Sequence, residues 1–214
     1  YAIESVTRAQ RAVANGTFGG EISPVTIKSR RGETIVDTDE TPGTVHVDKI
    51  PTLRPAFAKD GTVTAATSSS ISDGAAAVVM MTAAEAEKRG LTPIARIVGH
   101  SVFAQAPAWF TTAPIHAVKK LHEALGWTPD DVDLYEINEA FACVTMAAMK
   151  DLGISHDKVN VNGGACALGH PIGATGARIS VTLLHELAAQ GLTRGIASQC
   201  IGGGEATAVA FEII

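Results

Sequence analysis

The sequence predicts an α/β protein whose sheet is mixed, mostly parallel and covered by helices. Three observations carry this. Beyond about residue 92, strand-length apolar segments alternate with helix-length amphipathic ones, the pattern of a parallel sheet buried on both faces. Glycine is frequent, at 21 of 214 residues, and aromatic residues make up only 5%, so backbones can approach closely. Three turns that follow strands carry polar or reactive side chains, and ligands of open α/β sheets bind at that edge.

The elements follow in order. Residues 2–14 read as a helix with Ile3, Val6, Ala9 and Val13 on one face, ended by Asn15-Gly16. Residues 25–28 and 33–37 read as strands paired across Arg31-Gly32. From Thr38 to Asp60 the chain is rich in Pro, Thr and Asp, which predicts a surface excursion with little regular structure. A helix is expected from about Ser72, and residues 77–81 read as either its buried end or a buried strand. A short helix over 83–89 ends at Gly90, and residues 93–98 read as a strand. A boundary near residues 90–93 divides the chain into segments 1–91 and 92–214. In the second segment come helix 114–125, strand 132–137, helix 139–151, strand 158–161, helix 174–189 and strand 195–200. A tight turn at Gly202-Gly203-Gly204 leads to strand 206–213, so that last pair is antiparallel.

Composition removes several function classes. With 46% hydrophobic residues and a net charge of −5, the chain can bury a core and lacks the basic balance of a nucleic-acid binder. No apolar run has the roughly 18 residues of a membrane span. Three cysteines are too few for a disulfide scaffold, so a reducing compartment such as the cytoplasm is expected. The start, Tyr1-Ala2-Ile3-Glu4, reads as the middle of a longer polypeptide.

Chemistry is expected in three turns. In Glu136-Ile137-Asn138-Glu139-Ala140-Phe141-Ala142, Asn138 reads either as a helix N-cap or as a fixed amide that holds a water or donates to an oxyanion. Glu139 reads as a first-turn acid that complements the helix dipole. In residues 160–176, five glycines surround His170-Pro171 at a helix start, where a neutral, hydrogen-bonding imidazole is favoured over a purely structural one. The lysine and Ser/Thr of a phosphate-binding P-loop are missing there. In Ser198-Gln199-Cys200-Ile201-Gly202-Gly203-Gly204, Cys200 reads either as a buried structural thiol or as a proton-exchanging one, with glycine amides open to a ligand. Cys143 and Cys166 read as packing residues, and His116, His122, His156 and His185 as bystanders. Cys166, His170 and Cys200 make a poor zinc set, because Gly169 and Pro171 break the helix between them and no close Cys pair exists.

Asn-Glu-Ala-Phe-Ala at 138–142, Gly-Gly-Ala…Gly-His-Pro-Ile-Gly…Gly at 163–176 and Cys-Ile-Gly-Gly-Gly at 200–204, in that order and spacing, resemble the thiolase family, most nearly its biosynthetic acetoacetyl-CoA type. Leu53-Arg54-Pro55-Ala56-Phe57 and Gly61-Thr62-Val63-Thr64-Ala65 extend the resemblance over essentially the whole chain. The resemblance implies a layered αβαβα fold of two similar halves, of which 1–91 is the end of the first and 92–214 the second. It implies Claisen condensation of two acetyl-CoA to acetoacetyl-CoA, or the reverse thiolysis, with CoA thioesters as substrates and no metal or organic cofactor. Cys200 matches the cysteine that moves the substrate proton. His170 matches the histidine that activates the nucleophile and helps form an oxyanion hole, Asn138 the residue that holds a water there, and Gly202 an amide of a second hole. Phe57, Ala65, Ser69, Ile71, Ala140 and Phe141 match CoA-contacting positions, with Ser69 a candidate hydrogen-bond partner of pantetheine. Phe110 stands in the acyl pocket where methionine is expected, and no basic residue for the adenine stands in 40–50 unless His46 or Lys49 substitutes. The acylated cysteine and the loop domain over CoA are absent from this stretch. A non-catalytic acyl-CoA-binding subunit or half of a split enzyme is the alternative, and a ketosynthase relative fits the order Asn, His, Cys less well. Family members pair as homodimers or homotetramers.

Overall fold

The computed structural model describes residues 1–214. Helices α1 (Ala2–Ala14), α2 (Glu40–Thr44) and α3 (Ala83–Lys88) and the hairpin β1 (Val25–Ser29) and β2 (Gly32–Val36) make up the first segment. The second holds β3 (Ala95–Ala104), α4 (Ala113–Leu125), β4 (Leu134–Ile137), α5 (Ala142–Leu152), α6 (Ala165–Leu168), α7 (Thr175–Gln190), β5 (Arg194–Cys200) and β6 (Glu205–Ile213).

The central sheet has the order β3-β6-β5-β4. β4 and β5 are parallel, and β6 is antiparallel to both its neighbours, β3 and β5. Three of the four strands therefore run one way, yet two of the three pairings are antiparallel, so the sheet is mixed, as expected, with β4–β5 its one parallel pair. The insertion of β6 between β3 and β5 was not readable from the alternation of elements. The strand expected at 158–161 contributes one parallel bridge, Tyr135 to Val159, on the outer side of β4.

Period-two alternation assigns the two faces of the sheet. Tyr135, Ile137, Ile196 and the alanines 206, 208 and 210 face α4 and α5, where Val118, Leu121 and Ala148 close the larger core. Leu134, Ala197 and Phe211 face Ile179, Leu183 and Leu187 of α7. The result is a helix–sheet–helix sandwich. Its alanine-lined inner face lets α4 lie close to β6, and Ser101 on β3 donates to Ala117 O on α4.

The first segment differs more from expectation. α1 buries Ala2, Val6 and Ala9 against Ile50 and Ala167, while Ile3 stays 41% exposed. The small residues are chosen for contact because the 163–164 turn presses against the helix backbone. Residues 71–82 form neither the helix nor the strand expected there, and Val79 and Met80 lie exposed. The excursion 38–60 contains α2 and a short 3-10 turn at Val47–Thr52. The hairpin β1–β2 pairs as expected, with its residues solvent-exposed.

Candidate active site

Asn138 leaves the carboxyl end of β4 at a sharp turn. Its N–H donates to Ser198 O, 2.9 Å away on β5, so the β4–β5 ladder continues one residue past the strand. The helix that follows starts only at Ala142, with Phe141 as its N-cap. Asn138 is therefore no N-cap, and Glu139 is not in the first helical turn. The Asn138 side chain is 1% exposed, yet neither its Oδ1 nor its Nδ2 has a hydrogen-bond partner. A buried amide without partners is costly, which marks the position as one built to receive something.

Asn160 fixes this turn from the outer side. Its φ of 48° places it in the left-handed region, and its side-chain amide stands in for the missing strand neighbour of β4. Oδ1 accepts from Ile137 N–H at 2.8 Å and Nδ2 donates to Ile137 O at 2.8 Å.

His170 is half-buried in the loop before α7. Its Nδ1 lies 2.6 Å from the Thr175 hydroxyl, which also donates to Pro171 O at 3.1 Å. With the Thr175 hydrogen on Pro171, Nδ1 carries the imidazole proton and Nε2 the lone pair. Burial, and then the Arg178 guanidinium, lower the His170 pKa, so the ring is neutral at pH 7. Neutrality was expected from the helix amino end; desolvation is the larger cause. Arg178 itself lies 3.6 Å from the buried Glu136, whose carboxyl is pushed up to about 8 by burial.

Cys200 ends β5 and is 7% exposed. Burial pushes its thiol up to about 11, so it rests protonated. Beyond it, Gly202 is exposed at the open turn, with nothing within 4 Å of the position a side chain would take. Cys166 is buried as expected of a packing residue, whereas Cys143 is exposed.

The extended segment 68–70 joins the Asn138 turn to the His170 loop, and nothing in the sequence singled it out for that task. Ser68 bridges Phe141, Ser69 donates from both N–H and hydroxyl to Ala140 O, and Ser70 O accepts from His170 N–H at 2.9 Å. The expected CoA-contacting residues divide accordingly. Phe57 and Phe110 each meet Phe141 edge to face at 6.3 Å, so three of them form one aromatic corner. Ser69 and Ala140 are in direct contact, and the Ser69 hydroxyl hydrogen is committed to Ala140 rather than free for a ligand. Ala65 is exposed beside this segment, and Ile71, 90% exposed, is not gathered into the corner. No group of three or more His, Cys, Asp or Glu side chains is placed to hold a metal ion.

The fold and the three loops are those of the thiolase family. The thiolase C-terminal domain model matches residues 91–213 and the thiolase N-terminal domain model residues 1–84, and the chain belongs to this family. Acetyl-CoA acetyltransferase of Paracoccus denitrificans is 48% identical over 213 residues, covering 99% of this chain and 54% of that protein. The cytosolic acetyl-CoA acetyltransferase of Mus musculus is 49% identical over 215 residues, with 99% and 54% covered. The crystal structure of Bacillus anthracis acetyl-CoA acetyltransferase superposes with a TM-score of 0.96 at 46% identity, covering 100% of this chain and 54% of that one. Human mitochondrial 3-ketoacyl-CoA thiolase gives 0.92 at 37% identity with the same coverage. The chain thus spans about half the length of the curated relatives it matches. No helix is long and apolar enough to cross a membrane.

Proposed function

We propose that this chain carries the proton-transfer and oxyanion half of an acetyl-CoA acetyltransferase site, while the acylated cysteine comes from a part of the catalytic unit outside residues 1–214. The observation that carries the reading is the buried, unpartnered Asn138 amide at the edge where the extended 68–70 segment, the His170 loop and the end of β5 meet. An amide with nothing to bond in the resting protein is free to hold a water against a thioester oxygen.

In the synthetic direction, the Cys200 thiol gives its proton to the CoA thiolate that leaves as the nucleophilic cysteine is acylated; the Cys200 thiolate then takes a proton from the methyl of a second acetyl-CoA, and charge gathers on that thioester's oxygen. Fixed donors aimed at that oxygen stabilise the enolate as it forms; one such donor is worth about 3 kcal/mol. His170 Nε2 takes the nucleophile's proton and then donates in the hole, and Asn138 holds the water beside it. The enolate carbon attacks the acyl-enzyme carbonyl, and the tetrahedral oxygen is met by the Gly202 amide; collapse of that tetrahedral species breaks the bond to the acylated cysteine, whose thiolate regains its proton from His170, and frees acetoacetyl-CoA. In thiolysis the steps reverse, and the Cys200 thiol protonates the departing acetyl-CoA carbanion. The high thiol pKa suits both directions: the resting thiol is a ready acid, and its thiolate is a base strong enough for a weak carbon acid. Substrate is a short acyl-CoA seated on the Phe57–Phe110–Phe141 corner. No metal or organic cofactor enters these steps, and no nucleic acid or membrane partner. A cytoplasmic homodimer or homotetramer is the setting we infer.

Acetoacetyl-CoA thiolysis by the complete unit (this chain with the part that bears the acylated cysteine) tests the assignment. Cys200→Ala is expected to lower kcat by at least a thousandfold while the upstream cysteine still becomes acetylated. Turnover near the parent rate refutes the role of Cys200.

A further inference from the structure

We propose that Glu139 is a positioning residue that locks the Asn138 turn and the His170 loop into one geometry, an inference that rests on the thiolase reading above. The side chain is fully buried. Oε1 accepts from the Tyr1 hydroxyl at 2.7 Å and from Asn160 Nδ2 at 3.0 Å. Oε2 accepts from the Ser5 hydroxyl at 2.8 Å and from Cys166 N–H at 2.9 Å. Burial and the Glu139 charge hold the Tyr1 hydroxyl well above its ordinary pKa, so it remains a donor. Four donors converge on two oxygens, which only an acceptor-only carboxylate satisfies.

The partners show what is being held. Glu139 is bonded covalently to Asn138. Asn160, through the same amide nitrogen that reaches Glu139, also fixes Ile137 on the other side of Asn138. Cys166 lies four residues before His170, in the short helix α6 that delivers the chain to the Gly169-His170 corner. Ser5 closes the remaining gap: it accepts from Gly164 N–H at 3.1 Å while donating to Glu139. The Gly164 backbone lies so close to the carboxylate that a Cβ there would stand 2.5 Å from Oε1. Glu139 therefore ties α1, the Asn138 turn and the Gly-rich loop at one buried point. Displacement of either turn by about 1 Å breaks one of these bonds, so the carboxylate limits how far Asn138 and His170 can move apart.

Glu139→Gln in the complete unit tests this. The new NH₂ must face either Asn160 Nδ2 or Cys166 N–H, and unlike the two hydroxyls neither of these can turn to accept. The proposal expects a kcat at least tenfold below the parent per folded molecule, with KM for acetoacetyl-CoA within twofold. It also expects hydrogen exchange at the Cys166 amide to rise at least tenfold. Ser5→Ala, which keeps the carboxylate and removes one donor, is expected to give the same split at about threefold, and it covers the case in which Glu139→Gln does not fold. Parent-like kcat alongside faster exchange assigns Glu139 to fold maintenance alone and overturns the proposal. Unchanged exchange overturns the lock itself, even if the parent unit shows no thiolysis; that last result would instead overturn the functional reading.

Discussion

Asn138→Leu is expected to separate stability from activity. The substitution keeps the approximate volume and removes two polar atoms that have no partner in the fold. The backbone N–H stays bonded to Ser198 O, so the turn retains its anchor. A buried amide left without hydrogen bonds costs about 1–3 kcal/mol on the scale of protein substitutions. A water held in the hole recovers part of that cost, so the expected gain in stability lies between about 0 and 3 kcal/mol. For a domain of this size, each kcal/mol moves Tm by about 2–4 °C. Activity should move the other way, because loss of one oxyanion-hole donor costs roughly 10²–10³ in kcat. Thermal or urea unfolding and acetoacetyl-CoA thiolysis measure the two arms on the same preparation. A loss of more than about 1 kcal/mol would show that the amide is satisfied within the fold. Activity within tenfold of the parent would show that it does not face the reacting oxygen. Either result would falsify the reasoning.

Three further outcomes follow from the same geometry. Thr175→Val removes the hydrogen-bond partner of His170 Nδ1; with about 1–2 kcal/mol at stake, kcat/KM should fall about 5- to 30-fold with the fold intact by circular dichroism. Cys200 should be alkylated slowly at pH 7 and about tenfold faster for each pH unit up to 9. A thiol near 11 is only about one part in ten thousand ionised at neutrality, so the rate rises as pH rises; peptide mass spectrometry separates it from the exposed Cys143. A rate independent of pH in that range would contradict a raised pKa. Gly163→Ala should lower stability by about 2 kcal/mol or more, because φ is +81° and the new Cβ would lie 2.5 Å from Ser5 O; an unchanged Tm would count against the close packing of this turn on α1.

Much of the site was legible because its signals are local. A polar turn after an apolar strand, a histidine framed by glycine and proline, and a cysteine before three glycines are readable within windows of a few residues. The alternation of elements after residue 92 likewise located α4, α5 and α7 and most strands to within a few positions, but not the short helix α6 inside the Gly-rich loop. What could not be read depends on partners remote in the chain. Glu139 looked like a dipole-complementing acid, yet its donors lie up to 138 residues away. Ser69 was matched as a hydrogen-bond partner of pantetheine, yet its hydroxyl donates to Ala140, 71 residues on. α1 presented Ile3 as a core position, whereas close approach of the 163–164 turn selects the small residues of the helix for burial. The run at 77–81 was apolar enough for a buried element, but no neighbouring strand or helix in these 214 residues covers it.

The sequence by itself determined which side chains are available for chemistry and the order in which three reactive turns follow one another, since turn propensity and apolar periodicity are short-range effects. Only the tertiary structure decided that β6 runs between β3 and β5, that segment 68–70 bridges the Asn138 and His170 turns, and that Asn138 is buried with its amide unsatisfied. Those features arise from hydrogen bonds and contacts between distant segments, and their energy is set by what each segment meets when the sheet closes.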